Sequence, residues 1–381
     1  MLNVTGRKFP TPENSEVIRQ PWCANLSILR TNLCKTGSKT LVYWKTDNIE
    51  IPDWSRDSLL GKLNPFAADM PNELCDEAIA YCRYYGLDLW LEHPKVEYRQ
   101  GYLMAGGHQV VLHYYRSPDA KTTKGTVFIL HGYFDHVGLY SQLIDRCLGA
   151  GFDVLAYDQP GHGLSSGTPA AIGSFMEYQS VLCDVIAKVR GHVAGPWFAV
   201  GQSTGGAILI DYLLSNQHDQ DSSEFEKVVL LAPLVRPMGW LGAKVLHSLV
   251  RPFIKRWRRL FSENSGNSRF LKFLREHDPL QARAVHVDWV SALRLWVPHI
   301  ESCRPVEFPV TVVQGEKDLT VDWQHNLRII RNKFATVNEI RIPDGRHHLV
   351  NEAQDLQATV FNSIIDTFSG NLSAQSFSRA S

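Results

Sequence analysis

An α/β fold with a mostly parallel, doubly wound sheet is what this sequence predicts, and two observations predict it. From Val96 onward, short apolar runs of strand character alternate with longer amphipathic stretches. Some of the runs, such as "TVFIL", are apolar along their whole length, as in strands covered on both faces. Strands that alternate with helices imply parallel pairing with helices on either side.

The elements follow in order. "VEYRQGYLMAGGHQVVLHYYR" is two β-rich runs around Gly106-Gly107, a hairpin signal that adds antiparallel strands at one edge. "TVFIL" (126–130) is a buried strand. A helix follows with Leu139, Leu143 and Cys147 at i, i+4 and i+8. "FDVLAYD" is the next strand, "FMEYQSVLCDVIAKV" an amphipathic helix, and "WFAV" a strand that runs into "GQSTGG" and the helix "GAILIDYLL". "KVVLLAPL", "PVTVVQG" and "NEIRIP" supply three more strands, and "EAQDLQATVFNSIIDTF" a closing helix.

Two segments interrupt this rhythm. Between Val235 and Cys303 the alternation stops and the sequence reads as helical, so residues 235–303 are expected to form a cap inserted into a domain spanning 96–369. Residues 1–95 form an N-terminal extension of polar loops and short helical patterns to which no fold is assigned. One of these is "NELCDEAIAYCRYYG", with Cys75 and Cys82 on one face. The small, polar tail 370–381 is expected to be disordered.

Composition narrows the function. Lys plus Arg and Asp plus Glu are both 39, so the formal net charge is zero and nucleic acid has no global electrostatic attraction to this chain. The seven cysteines are odd in number, scattered and without a C-x-x-C pair, which argues against a disulfide scaffold or a zinc site and for free thiols. No His and carboxylate cluster has metal-ligand spacing, so no metal is expected. The N-terminus lacks the apolar core of a secretory signal, and no run approaches ~18 apolar residues. The expectation is a soluble, cytoplasmic protein.

The chemistry centres on Ser203. It lies in G-x-S-x-G, between Gly201 and Gly205, at a strand-to-helix junction. That is the context of a nucleophile elbow, where flanking glycines relieve crowding and the hydroxyl stands above the strand ends. The helix that follows aims amide N–H groups and positive dipole at the place where an oxyanion would form. A serine hydroxyl needs a base, and the base an orienting acid. In this arrangement the acid and then the histidine follow the serine, each in a loop after a strand. "PVTVVQGEKDLTVD" puts Asp318 in such a loop, and "IRIPDGRHHLVNE" puts His347 and His348 in the last one. The loop "HGYFDH" after "TVFIL" offers the Tyr133 N–H as one oxyanion donor, with Gly132 permitting the tight turn; Thr204 N–H is the other.

The chain resembles the α/β-hydrolase superfamily, within it the serine hydrolases that include monoacylglycerol lipases and bacterial lysophospholipases. The pieces that carry the resemblance are "HGYFDHVGLY", "YDQPGHGLSSG", "GQSTGG", "VVQGEKDLTVD" and "GRHHLVNE". It implies Ser203 as nucleophile, Asp318 as acid, His347 as base, and Tyr133 and Thr204 as oxyanion donors. In the family motif one His is followed five residues later by Glu, and Glu352 stands five after His347. The activity implied is hydrolysis of a carboxylic ester without a cofactor, with a monoacylglycerol, a lysophospholipid or a similar acyl ester as substrate. Cleavage of small amides or peptides is the first alternative. A non-catalytic ligand-binding homologue is the second.

Neighbouring residues carry blander readings. Asp322 precedes a helix and is expected to be structural. Asp158, His131, His136 and His162 are expected to brace loops. "PFIKRWRRLF" (252–261) is read as a helix with Phe253, Trp257, Leu260 and Phe261 on one face and Lys255, Arg256, Arg258 and Arg259 mostly on another. Two roles stay open for it: peripheral membrane contact through the cap, or packing on the core with a solvated basic face.

Overall fold

A computed structural model describes residues 52–69, 73–371 and 376–378 of the chain. The expectations for the N-terminal signal, for Cys23 and Cys34 and for the rest of residues 1–51 lie outside these.

Among the described residues two helices come first, α1 (Arg56–Leu60) and α2 (Asp76–Tyr85). The strands β1 (Glu97–Ala105) and β2 (His108–Arg116) form the expected hairpin, paired from Glu97–Arg116 to Ala105–His108. Its turn residues, Gly106 and Gly107, have φ of 55° and 78°, the left-handed pair that a two-residue hairpin turn requires. Then come β3 (Thr126–Leu130), α3 (Ser141–Gly149), β4 (Asp153–Tyr157), α4 (Phe175–Val189), β5 (Trp197–Gln202), α5 (Thr204–Ser215) and β6 (Phe225–Leu231). Helix α4 starts where Ser174 and Glu177 close a reciprocal capping box.

After β6 the chain makes an insertion: α6 (Trp240–Val250), β7 (Arg256–Arg258), α7 (Ser268–Glu276), β8 (Ala284–His286) and α8 (Val287–Ser302). The core resumes with β9 (Val306–Gly315), α9 (Trp323–Lys333), β10 (Phe334–Ile342) and α10 (Gln354–Ser369). Of the tail expected to be disordered, residues 370–371 and Ser376–Ser378 are described; Ser376–Ser378 is the part in regular structure. It forms a short strand, β11, paired antiparallel with β10, whose outer backbone groups would otherwise lack a partner.

Nine of the described strands form one sheet in the order β1-β2-β4-β3-β5-β6-β9-β10-β11, and β7 and β8 pair separately. From β4 through β10 every neighbouring pair is parallel; the edge pairs β1–β2, β2–β4 and β10–β11 are antiparallel. Alternate residues of each central strand face opposite layers. Phe128 and Leu130 of β3 join one core with α4, α5, α8 and α9, whereas Val127 and Ile129 join another with α2, α3, α7 and α10. Burial on both faces is why these strands read as unbroken apolar runs.

The basic segment departs from expectation: residues 256–258 are a strand, not part of a helix. Pro252, two residues beyond α6, has no N–H to continue the helix. Arg256, Trp257 and Arg258 then pair with His286, Val285 and Ala284, which leaves both arginines exposed. Phe253 and Leu260 therefore share no helical face; they are exposed separately.

Candidate active site

Ser203 sits between the end of β5 and the start of α5 with φ 53° and ψ −107°. A non-glycine residue in that region is strained, by about 1–3 kcal/mol, and persists only where its surroundings fix it. Here Ser203 N–H donates to the Leu231 carbonyl at 2.8 Å, and its own carbonyl accepts from Ala207 and Leu234. The flanking glycines are required by space. A β-carbon on Gly205 would lie 2.0 Å from the Leu130 carbonyl oxygen, and one on Gly201 2.5 Å from that of Gly205.

His347, in the loop after β10, reaches Ser203 Oγ through Nε2 at 2.9 Å. Its Nδ1 lies 2.7 Å from Asp318 Oδ2. Asp318 is buried in the loop after β9, where its Oδ1 accepts the Thr320 and Val321 amides at 2.8 and 3.2 Å. Burial works against charge on both groups, but their pairing outweighs it. The Asp318 carboxyl is held below its ordinary pKa and the His347 imidazole above its own. Asp322 lies outside this set and caps α9 by accepting the His325 amide.

Two glutamines that the sequence reading passed over complete the arrangement. Gln202, next to the nucleophile, donates to the His347 carbonyl at 2.8 Å. Gln314 donates to Asp318 Oδ2 at 3.2 Å, the oxygen that faces His347. Both lie inside the quoted motifs, so their position was the available signal. His348 points elsewhere. Its Nε2 lies 3.2 Å from Asp135 Oδ1, away from the serine. Asp135 Oδ2 accepts the Tyr140 hydroxyl at 2.9 Å and the Gly132 amide at 3.2 Å. Glu352, the spacing marker, accepts the Gly266 amide and so fastens the insertion.

The loop 131–136 lies beside Ser203; a β-carbon on Gly132 would stand 3.5 Å from that of Ser203. The backbone N–H groups of Tyr133 and Thr204 donate to no protein acceptor among the described residues. Thr204 opens α5, so its amide is one of the unpaired first-turn donors and carries the positive end of the helix dipole. The Tyr133 ring is stacked 3.9 Å from Trp289 of α8, and its hydroxyl donates to the Ala170 carbonyl.

His131, Asp158 and His162 act within loops. His131 Nδ1–H donates to the Gly132 carbonyl while its Nε2 accepts the Gln159 amide, and burial lowers its pKa to about 3. His162 donates to the Pro160 carbonyl. Asp158 accepts the Val137 and Leu164 amides. His136 departs from simple bracing: it forms a buried pair with Asp278 of the insertion at 3.0 Å.

A serine hydroxyl backed by an imidazole and a carboxylate, with two free amides beside it, can attack a carbonyl carbon and hold the resulting oxyanion. The chain is similar to known hydrolases. The family model for "Serine aminopeptidase, S33" matches residues 121–354. The chain is 28% identical over 254 residues to the monoglyceride lipase of Homo sapiens, covering 64% of this chain and 82% of that one. It is 27% identical to phospholipase YtpA of Bacillus subtilis, covering 51% and 76%. Among solved structures, a soluble variant of the Saccharomyces cerevisiae monoglyceride lipase bound to a substrate analog superposes with a TM-score of 0.60. The match has 18% identity and covers 73% of this chain and 96% of the other. That likeness establishes the α/β-hydrolase fold.

Proposed function

The chain belongs to the serine aminopeptidase S33 family, and on that premise we propose that it hydrolyses the carboxylic ester of a single-chain lipid, a monoacylglycerol or a lysophospholipid. One observation carries this reading: the unbroken path from Ser203 Oγ through His347 to Asp318, at 2.9 and 2.7 Å. In the proposed reaction the Ser203 hydroxyl gives its proton to His347 Nε2 as Oγ attacks the ester carbonyl. The amides of Tyr133 and Thr204 receive the oxyanion. His347 then returns the proton to the leaving alcohol, and a water, deprotonated in turn by His347, releases the fatty acid. General acid–base transfer contributes typically about 10²–10⁴-fold, and each oxyanion donor about 10²–10³. The lipid part of the reading draws on the relatives, a monoglyceride lipase and a phospholipase.

The test is labelling of Ser203 by a fluorophosphonate, followed by turnover of p-nitrophenyl esters, monoacylglycerols, lysophospholipids and aminoacyl p-nitroanilides. Preference for the nitroanilides would turn the reading towards the small-amide hydrolase. The residue division 96–369, with the insertion after β6 acting as a cap over the site, is part of the same proposal.

Access to lipid is proposed to run through α6 together with the first residues of the basic segment that follows it. Leu241, Val245 and Leu249 recur at i, i+4 and i+8 and are 73%, 62% and 65% exposed. Phe253 follows at 84%, and exposed Arg251, Lys255, Arg256 and Arg258 flank it. Apolar side chains in a row with cations beside them fit an anionic lipid surface. No described helix is long and apolar enough to cross a membrane. Replacing Leu241, Val245 and Leu249 together by Glu is expected to abolish sedimentation with anionic vesicles. It should lower turnover of vesicle-borne substrate at least about tenfold and leave soluble short-chain esters unaffected, since each buried Leu or Val is worth about 1.5–3 kcal/mol. Unchanged vesicle binding would count against this surface.

A further inference from the structure

The loop bearing the Tyr133 amide is gripped by residues far from it in sequence. Phe134, next to the donor, has φ 69°, a conformation that costs a bulky residue free energy unless something holds it. Gln281, between α7 and β8, holds it. Its side-chain amide donates one hydrogen to the Phe134 carbonyl at 3.0 Å and the other to Asp278 Oδ2 at 2.9 Å. Gln281 Oε1 accepts from Arg259, whose guanidinium lies 3.9 Å over the Phe134 ring.

Asp278 is the hub. Both its side chain and that of His136 are fully buried, and they pair at 3.0 Å. Its other oxygen, Oδ1, accepts the Leu280 amide at 3.0 Å and the hydroxyl of Tyr85 at 2.7 Å. Tyr85 is the last residue of α2, and its ring packs edge-on against His136, 4.9 Å between centroids. A buried carboxylate with four donors is fully satisfied, which makes it rigid as well as tolerable. The pairing outweighs burial, holding the His136 pKa above its ordinary value and that of Asp278 below its own. The insertion holds Phe134 through Gln281 and His136 through Asp278, and α2 holds Asp278 through Tyr85.

We propose that Asp278, Gln281 and Tyr85 are positioning residues for acyl transfer: they fix Phe134 and His136 on either side of Asp135 so that the Tyr133 N–H points at the reacting carbonyl. Helix α2 then belongs to the catalytic apparatus and is not an appended module. The inference rests on the ester-hydrolase reading for its catalytic part and on geometry alone for its structural part. Oxyanion donors act through fixed direction, and misplacement by about 1 Å can cost on the order of 10² in rate.

The test compares Gln281→Leu and Tyr85→Phe with Tyr84→Phe in the full chain. Tyr84 ties the same helix to the same segment, its hydroxyl donating to the His277 carbonyl at 2.6 Å, but it touches neither Asp278 side-chain oxygen. With a soluble p-nitrophenyl ester, Gln281→Leu should lose about ten- to a hundredfold in kcat with KM within about threefold. Tyr85→Phe should lose about three- to tenfold in the same manner, and Tyr84→Phe should keep its kcat at a similar loss of Tm. Hydrogen exchange in the peptide covering 131–136 should speed up at least about tenfold in Gln281→Leu. Unchanged exchange in Gln281→Leu would overturn the clamp. A loosened loop with wild-type kcat would overturn its catalytic role. A wild-type chain without Ser203-dependent turnover would instead strike down the hydrolase reading and, with it, that role, while the exchange data would still decide whether the clamp exists.

Discussion

Ser203→Ala is expected to lower ester turnover by about 10⁴–10⁶ in kcat while the protein stays folded. The substitution removes one oxygen and the hydrogen bond it shares with His347 at 2.9 Å. It leaves the backbone bonds of the elbow in place: the amide to Leu231 and the carbonyl to Ala207 and Leu234. Alanine has to accept the same φ of 53° as serine, so the strain is common to both chains and stability should change little. The loss should fall on kcat rather than KM, because the hydroxyl acts on the reacting carbon and the pocket is otherwise intact. Fluorophosphonate labelling should vanish in parallel. A folded Ser203→Ala protein with near wild-type turnover would end the serine-hydrolase reading.

What could be read in advance depended on how local the signal was. The central strands were legible because a strand covered on both faces shows as a continuous apolar run, as "TVFIL" does. The hairpin was legible because two adjacent glycines supply the φ values its turn needs. Ser203, Asp318 and His347 could be picked out because each occupies a loop after a strand, in a fixed chain order. These are the three side chains that the fold brings within hydrogen-bonding distance of one another. Two kinds of feature stayed hidden. Residues 256–258 carry alternating basic and aromatic side chains that fit a helix face or a strand edge; Pro252 and the distant partner 284–286 decide for the strand. His136 read as a loop brace because its partner, Asp278, lies 142 residues away. No spacing rule links residues that far apart. Gln202 and Gln314 fall between: both sat inside the motifs, but their roles emerge only once the facing carbonyl and carboxylate are in place.

The adjacent histidines give the second large effect, because the fold sends them in opposite directions. His347→Ala should fall close to background, about 10⁴-fold or more below wild type in kcat, since it removes the only imidazole touching Ser203 Oγ among the described residues. His348→Ala should retain at least about a tenth of wild-type kcat, a barrier increase below ~1.4 kcal/mol. It removes a donor to Asp135, which keeps the Tyr140 hydroxyl and Gly132 amide as partners, so the oxyanion loop is loosened but not lost. The pH profile separates the roles further. His347 must be neutral to accept the serine proton, so kcat/KM falls as pH drops through its pKa. Burial lowers that pKa, but the Asp318 carboxylate raises it further, and the balance lies above the ordinary histidine value of about 6.5. The acidic limb should therefore sit above pH ~6.5 in the wild type and move to lower pH in Asp318→Asn, where burial acts without the opposing charge. In His348→Ala the limb should stay where it is. If the limb moved with His348 and not with Asp318, the base would be the second histidine, and the proton path through Ser203 would need another geometry.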